Sequence, residues 1–179
     1  MTRALAAAVA LLAVVACSGD KTDPPSIQGV EVFEDLSHKH VTTDVTYPQT
    51  PPVGGEHSPV WLRCAVYTEQ VPEENAVHSM EHGAIWVTYD PALSQDEVQR
   101  LSRLQGLKPE YVLISPFQGL PSKVVASTWG LQLKADTVDD PRLADFVKEY
   151  AGGNQGGEKG ADCVGATLDQ LKAGGGPAM

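Results

Sequence analysis

Residues 84–117, AIWVTYDPALSQDEVQRLSRLQGLKPEYVLISPF, contain two apolar runs separated by an amphipathic one. The runs 84–90 and 111–117 are rich in β-branched and aromatic residues, which favour buried strands. Between them, residues 94–104 begin with the Ser-x-x-Glu pattern of a capping box and continue with apolar residues at helical spacing. A strand, a helix and a second strand in this order predict one parallel pair of strands.

Further segments extend this unit on both sides. A second helix is predicted over 140–153, with Asp140 as its N-cap, Pro141 in its first turn and Gly152 at its end. The β-branched and alternating segments predict strands at 29–36, 40–47, 60–67 and 123–130, the last joined to 111–117 by a hairpin-like connection. The order predicts an α+β fold: a mixed β-sheet of about five to six strands with two helices packed on one face.

The amino-terminal residues have the pattern of a secretory signal. Arg3 precedes an unbroken apolar run, Ala4 to Ala16, that is too short to span a bilayer as a mature helix. The run ends in VVAC, which resembles a bacterial lipobox, so we predict a signal peptide over 1–16 and lipidation of Cys17. The alternative is an ordinary signal that leaves Cys17 as a free thiol.

These boundaries predict the organisation of the mature chain. A lipidated tether over 17–29 precedes a single globular domain over 30–165, and 166–179 forms a C-terminal tail. The expected location is the cell envelope, with the lipid anchored in a bacterial membrane and the domain facing the periplasm or exterior.

The charge of the chain excludes some partners. Removing residues 1–16 takes away one basic residue, Arg3, of 13, which leaves 12 basic against 23 acidic residues and a net charge of −11. So acidic a surface disfavours nucleic acid as a partner and repels anionic lipid headgroups. Membrane contact is therefore expected through the N-terminal lipid alone, and the identity of any protein partner is left open.

Two cysteines remain once Cys17 carries a lipid. An even pair in an exported chain predicts one disulfide, between Cys64 and Cys163. The competing interpretation is that one or both thiolates bind a metal. Neither cysteine belongs to a C-x-x-C pair, which favours the disulfide.

The segment VHSMEHG, residues 77–83, concentrates two of the chain's five histidines. His78 and His82 share one face in a strand and in a helix alike, because both periods bring i and i+4 together. With Met80 they form a nitrogen-and-sulfur set that suits Cu(I), and Cu(II) or zinc less well. Glu81 is expected to orient a histidine from behind or to act as a general base beside the metal. The alternative is that Met80 is a core residue and that the histidines bond loop carbonyls.

Histidines elsewhere favour the metal interpretation. His38 and His40 lie on one side of an extended segment, and His57 lies in the glycine-rich loop PPVGGEHSP. Three separated segments therefore each carry histidine beside a predicted strand, as expected of a site built from several elements.

These blocks, with STWG and a late GADC, resemble a bacterial family of exported proteins, the domain-of-unknown-function family 3105. The resemblance runs from about Val30 to Cys163. It implies no activity. The positions that match the family's recurrent polar residues are His40, His57, His78, Glu81 and His82, with Cys64 and Cys163 as its cysteine couple. His38 is outside the family's pattern, and Met80 stands where the family often has Leu, which weakens methionine as a ligand.

Three functions follow as hypotheses. The first is a non-catalytic envelope lipoprotein that binds copper or zinc through His40, His57, His78 and His82, with Glu81 and Met80 in supporting positions. The second is an enzyme that uses Glu81 and a histidine as acid and base, although no nucleophile, phosphate or dinucleotide motif supports it. The third is a metal-free binding or assembly module, and for it the tryptophans to follow are Trp61, Trp86 and Trp129.

Overall fold

A computed structural model describes residues 26–158 and 160–174 of the chain. The predicted signal peptide, Cys17 and most of the predicted tether lie outside these residues. No helix in the described part of the chain is long and apolar enough to cross a membrane.

One five-stranded mixed sheet forms the centre of the domain. Its strands are β1 (Val30–Val32), β2 (Ile85–Tyr89), β3 (Val112–Pro116), β4 (Val124–Thr128) and β5 (Leu131–Ala135). They lie in the order β1-β5-β4-β2-β3, with β2 and β3 parallel and the other pairs antiparallel. The α+β class and the parallel pair are therefore confirmed.

Within residues 26–158 and 160–174, four α-helices accompany the sheet: α1 (Glu73–Glu81), α2 (Gln95–Leu101), α3 (Pro141–Tyr150) and α4 (Leu168–Lys172). A 3₁₀ helix, Ser102–Leu107, continues α2. Ser94 and Glu97 form the predicted capping box, and the Asp140 side chain accepts a hydrogen bond from the Arg142 N–H at the start of α3. The two predicted helices are thus α2 and α3.

The two faces of the sheet bury separate apolar clusters, because successive strand residues point to opposite sides. Ile85 and Val87 pack with Leu101 of α2 and Phe146 of α3 on the first face. On the second face, Trp86 packs with a cluster that includes α1 residues and both cysteines. The predicted pair of helices does share one face, and α1 covers the other.

Several predicted elements differ in the structure. Residues 40–47 and 60–67 form isolated bridges at His40, Leu62 and Val66 instead of strands. Residues 60–67 meet β3 only at Ile114, which accepts a hydrogen bond from the Tyr67 N–H and donates one to the Ala65 carbonyl. In 40–47, the Val45 N–H donates to a Glu74 carboxylate oxygen. The hairpin-like connection of β3 to β4 is wrong, because β4 pairs with β2 and β5, and β5 was not predicted.

Residues 166–174, the described part of the predicted tail, contact the domain. Ala166 bridges Leu62, and Leu168 of α4 is buried in the second cluster. The disulfide between Cys64 and Cys163 is present and closes a sequence separation of 99 residues. In the chain-entropy model a loop of this size contributes roughly 4–5 kcal/mol, and the bond fixes the segment after β5 and α3 against residues 60–67.

Candidate metal centre

Helix α1 presents three polar side chains at the point where the chain returns to β2. Glu73 and Glu74 in its first turn stabilise the positive end of the helix dipole. His78, Glu81 and the C-cap residue His82 have i, i+3, i+4 spacing and lie on one face. All three are at least 96% buried, so this short helix places two imidazoles and a carboxylate inside the protein.

The turn after α1 depends on a glycine. Gly83 has φ +90, and a β-carbon there would lie 2.9 Å from the Gly153 carbonyl oxygen. At Gly156, a β-carbon would overlap the Glu81 backbone. The glycine-rich segment that follows α3 can therefore pass directly over the end of α1, and this brings Glu158 to the site.

The loop 53–62 supplies His57 and is fastened to α1. The Asn75 side chain donates to the Val60 carbonyl at 2.6 Å, and the Ser79 hydroxyl donates to the Leu62 carbonyl at 2.7 Å. His57 itself is 0% exposed. A two-residue parallel bridge then joins His57 to His40, with the Val41 N–H donating to the His57 carbonyl at 2.7 Å.

Glu81 is the centre around which the histidines gather. One carboxylate oxygen lies 2.6 Å from His38 Nδ1. The other lies 2.9 Å from His57 Nε2 and 3.5 Å from His40 Nε2. Burial alone would raise the pKa of Glu81, but the hydrogen bonds from His57 and His38 outweigh it and lower that pKa to about 2. The carboxylate is therefore ionised at neutral pH.

Backbone carbonyls fix the orientation of three imidazoles. His57 Nδ1 lies 2.8 Å from the Gly55 carbonyl oxygen, His78 Nδ1 lies 2.6 Å from that of Ser58, and His82 Nδ1 lies 2.7 Å from that of Asp162. A carbonyl only accepts, so each Nδ1 carries the proton. The Nε2 atoms of His78 and His82 are then left without a hydrogen-bond partner, whereas that of His57 bonds Glu81; proteins use such carbonyl bonds at Nδ1 to orient metal-binding histidines.

His78 is neutral and its Nε2 has no partner. Burial, followed by the nearby His82, His57 and His40, lowers the pKa of His78 to about 3, against the opposing effect of its bond to Ser58. Its Nε2 makes no hydrogen bond within the described residues, and neither does that of His82. A buried acceptor left unpaired costs about 1–3 kcal/mol, so these two atoms require an explanation.

Two sets of ligand atoms result, and they share His78. The inner group consists of His40, His57, His78 and Glu81; the outer group consists of His78, His82 and Glu158. Within each group, one ligand atom per residue lies within 4.8 Å of all the others. A tetrahedral zinc ion would hold such atoms about 3.4 Å apart, and the Glu81 oxygen lies 2.9 Å from His57 Nε2 and 3.5 Å from His40 Nε2, close to that separation.

The predicted site residues are therefore brought together, with changes of role. His40, His57 and His78 form one group, whereas His82 belongs to the adjoining group. Glu81 lies among the ligand atoms instead of behind them. Met80 packs in the core cluster of the second face and belongs to neither group.

Two residues at the site are outside the predicted set of ligands. His38, half exposed, donates to Glu81, and its alternation with His40 was the available signal. Glu158 lies in a glycine-rich segment 76 residues after His82, and no local pattern identifies it. Its carboxylate oxygen lies 3.0 Å from His82 Nε2, without the alignment of a hydrogen bond.

Tryptophans border the site on two sides. Trp129 stacks on His38 with ring centroids 4.4 Å apart, and Trp61 lies 4.9 Å from His82. Trp86 is fully buried in the core and does not border the site. Trp129, His38 and Tyr150 also line a cavity of about 490 Å³, but no other histidine and neither Glu81 nor Glu158 lines it.

The chain matches the family model described as "Protein of unknown function (DUF3105)" over residues 38–165. The chain belongs to this family. The match begins at His38 and ends just after Cys163, so it covers both ligand groups and the disulfide. No curated protein and no solved structure matches the chain.

Proposed function

We propose that this DUF3105 protein is a non-catalytic lipoprotein of the bacterial cell envelope that binds one transition-metal ion at the inner group. The observation that carries the proposal is the Nε2 atom of His78. It is buried, neutral and unpartnered within the described residues, and it belongs to a group with two further imidazoles and an ionised carboxylate.

The surroundings of His57 also favour a bound cation. Its Nδ1 donates to a carbonyl, and its Nε2 lies 2.9 Å from the ionised Glu81. These two atoms are aligned as a hydrogen bond, so two acceptors could not face each other here without a proton or a cation between them. In the metal-free protein a proton on Nε2 fills this role, and a metal ion replaces that proton.

The donor atoms favour zinc or copper(II). The inner group offers three imidazole nitrogens and one carboxylate oxygen, a set typical of zinc and also accepted by copper(II). Sulfur ligands, which would favour copper(I), do not belong to either group. Within the described residues, Met80 lies in the core and the two cysteines are bonded to each other.

We expect the full-length chain, purified in detergent and stripped with a chelator, to bind one equivalent of zinc tightly. A four-ligand protein site predicts a dissociation constant of about 1 nM or less. Competition against a chelator of known affinity measures it. A parallel thermal melt should show stabilisation on zinc addition, because the ion binds only the folded state. Failure to bind zinc, copper(II) or copper(I) in these titrations would overturn the proposal and favour a metal-free assembly module.

The lipid anchor is tested separately at Cys17. Cells grown with a labelled fatty acid should incorporate the label into the wild-type protein and lose it in Cys17→Ser. The matched control is the double variant Cys64→Ser/Cys163→Ser, which keeps Cys17 and should remain labelled. Equal labelling of the wild type and Cys17→Ser would exclude lipidation at this residue.

A further inference from the structure

We propose that the outer group is a second position for the same cation, and that the ion exchanges ligands around a fixed His78. The inference rests on the proposed metal-binding function, but it assigns a second position that metal binding at the inner group does not require. The inner group already supplies four ligands, so His82 and Glu158 are unused by it.

His82 is built as a ligand, not as a packing residue. Its side chain is only 3% exposed, and its Nδ1 donates to the Asp162 carbonyl at 2.7 Å. Asp162 directly precedes Cys163, so the disulfide holds the carbonyl that orients the ring. The Nε2 atom has no hydrogen-bond partner within the described residues, and the Glu158 carboxylate lies 3.0 Å away.

The inner and outer positions cannot both hold an ion with all of their ligands at the same time. His78 Nδ1 is committed to the Ser58 carbonyl, which leaves Nε2 as its single ligand atom. An ion at either position needs that atom. The rings of His78 and His82 lie 4.7 Å apart, so an ion that keeps His78 can leave His57 and Glu81 for His82 and Glu158.

The inner position should hold the ion more tightly. It has four ligands against three, and its carboxylate is 4% exposed, whereas that of Glu158 is 34% exposed. The outer position therefore binds the ion measurably only when the inner ligands are removed. If Glu158 is a ligand of the outer position, its substitution should therefore affect zinc affinity only when the inner ligands are absent. If its role is purely structural, the effect should be the same in both cases.

A double-mutant cycle with zinc as the probe tests the proposal in the full-length chain. His57→Asn/Glu81→Gln disables the inner group and keeps the donor to the Gly55 carbonyl. We expect this variant to bind one equivalent of zinc about 10- to 100-fold more weakly than wild type, through His78, His82 and Glu158. Adding Glu158→Gln to this variant should lower its zinc affinity at least about 10-fold further. In the wild-type background, Glu158→Gln alone should change the zinc affinity less than about 3-fold.

The outcomes separate this proposal from the preceding one. If wild type binds zinc and a folded His57→Asn/Glu81→Gln variant does not, the outer position is refuted and the inner site stands. The same factor for Glu158→Gln in both backgrounds would also refute it, because a structural effect does not depend on the inner group. If wild type binds no metal, both proposals fail. Thermal unfolding without zinc checks each fold, and Glu81→Gln alone serves as the inner variant if the double one does not fold.

Discussion

Replacing His78 by Asn is expected to lower the zinc affinity at least about 1,000-fold, or roughly 4 kcal/mol. His78 is the one residue that both ligand groups require. Asn places an amide N–H near the position of Nδ1 and can still donate to the Ser58 carbonyl, but it has no atom at Nε2. The substitution therefore removes the ligand atom and keeps the hydrogen bond between the side chain at position 78 and the loop. Chelator competition measures the loss.

The matched control is His38→Asn. His38 bonds Glu81 at 2.6 Å, but it is half exposed and belongs to neither ligand group. Its loss should weaken zinc binding by about 10-fold at most, the lower end of the effect of residues that support a ligand. If the two variants lose affinity equally, or if folded His78→Asn binds as wild type does, the central place of His78 in the site is wrong.

The elements that were predicted correctly are those whose sequence patterns lie within a short segment of the chain. The capping box at Ser94 and Glu97 and the Asp140 cap mark helix starts that the structure confirms. The apolar runs around β2 and β3 were long enough to identify as buried strands. Each of these signals is contained in fewer than a dozen consecutive residues.

The failures arose where pairing is decided by distant residues. The β-branched composition of 40–47 predicts a strand, but its neighbours are the His57 loop and the α1 side chain Glu74, neither of which offers a strand edge. Conversely, β5 contains the polar residues Gln132 and Lys134, and it forms because β4 and β1 lie on either side of it. Local propensity does not contain this information.

The site shows the same division. His40, His57 and His78 were identified because five histidines in 179 residues make any cluster visible. The division of these residues into an inner and an outer group was not predicted. It depends on α1 being a helix and on the close passage of the chain at Gly156 over the backbone of Glu81. Once α1 is helical, Met80 points away from the face that carries His78 and His82, and it becomes a core residue.

Acidification is expected to destabilise the metal-free protein by several kcal/mol between pH 6.5 and pH 3. The pKa of His78 is about 3 in the folded protein, against an ordinary value of 6.5. Below pH 6.5, His78 therefore binds a proton in the unfolded chain but not in the folded one. The free energy of unfolding falls until the pH reaches about 3. At 1.36 kcal/mol for each pKa unit, the full loss is roughly 5 kcal/mol, comparable to the total stability of many domains.

Glu81 extends the loss to lower pH. Its pKa is about 2 in the folded protein, against an ordinary value of 4.5. The unfolded carboxylate takes up a proton as the pH falls below 4.5, whereas the folded one stays ionised between its histidines until about pH 2. Stability from this group is thus complete above pH 4.5 and is lost between pH 4.5 and pH 2. The two windows overlap, so unfolding should begin well above pH 3.

Urea unfolding at a series of pH values, in the presence of a chelator, measures both contributions. His78→Asn removes the first titrating group, so its free energy of unfolding should stay nearly level from pH 6.5 to pH 4.5 and fall only below that, where Glu81 titrates. Wild type should decline across both ranges. An equal slope for the two proteins above pH 4.5 would show that His78 is not held neutral by burial. In that case the unpartnered Nε2 atom, on which the metal site depends, would not be a free ligand.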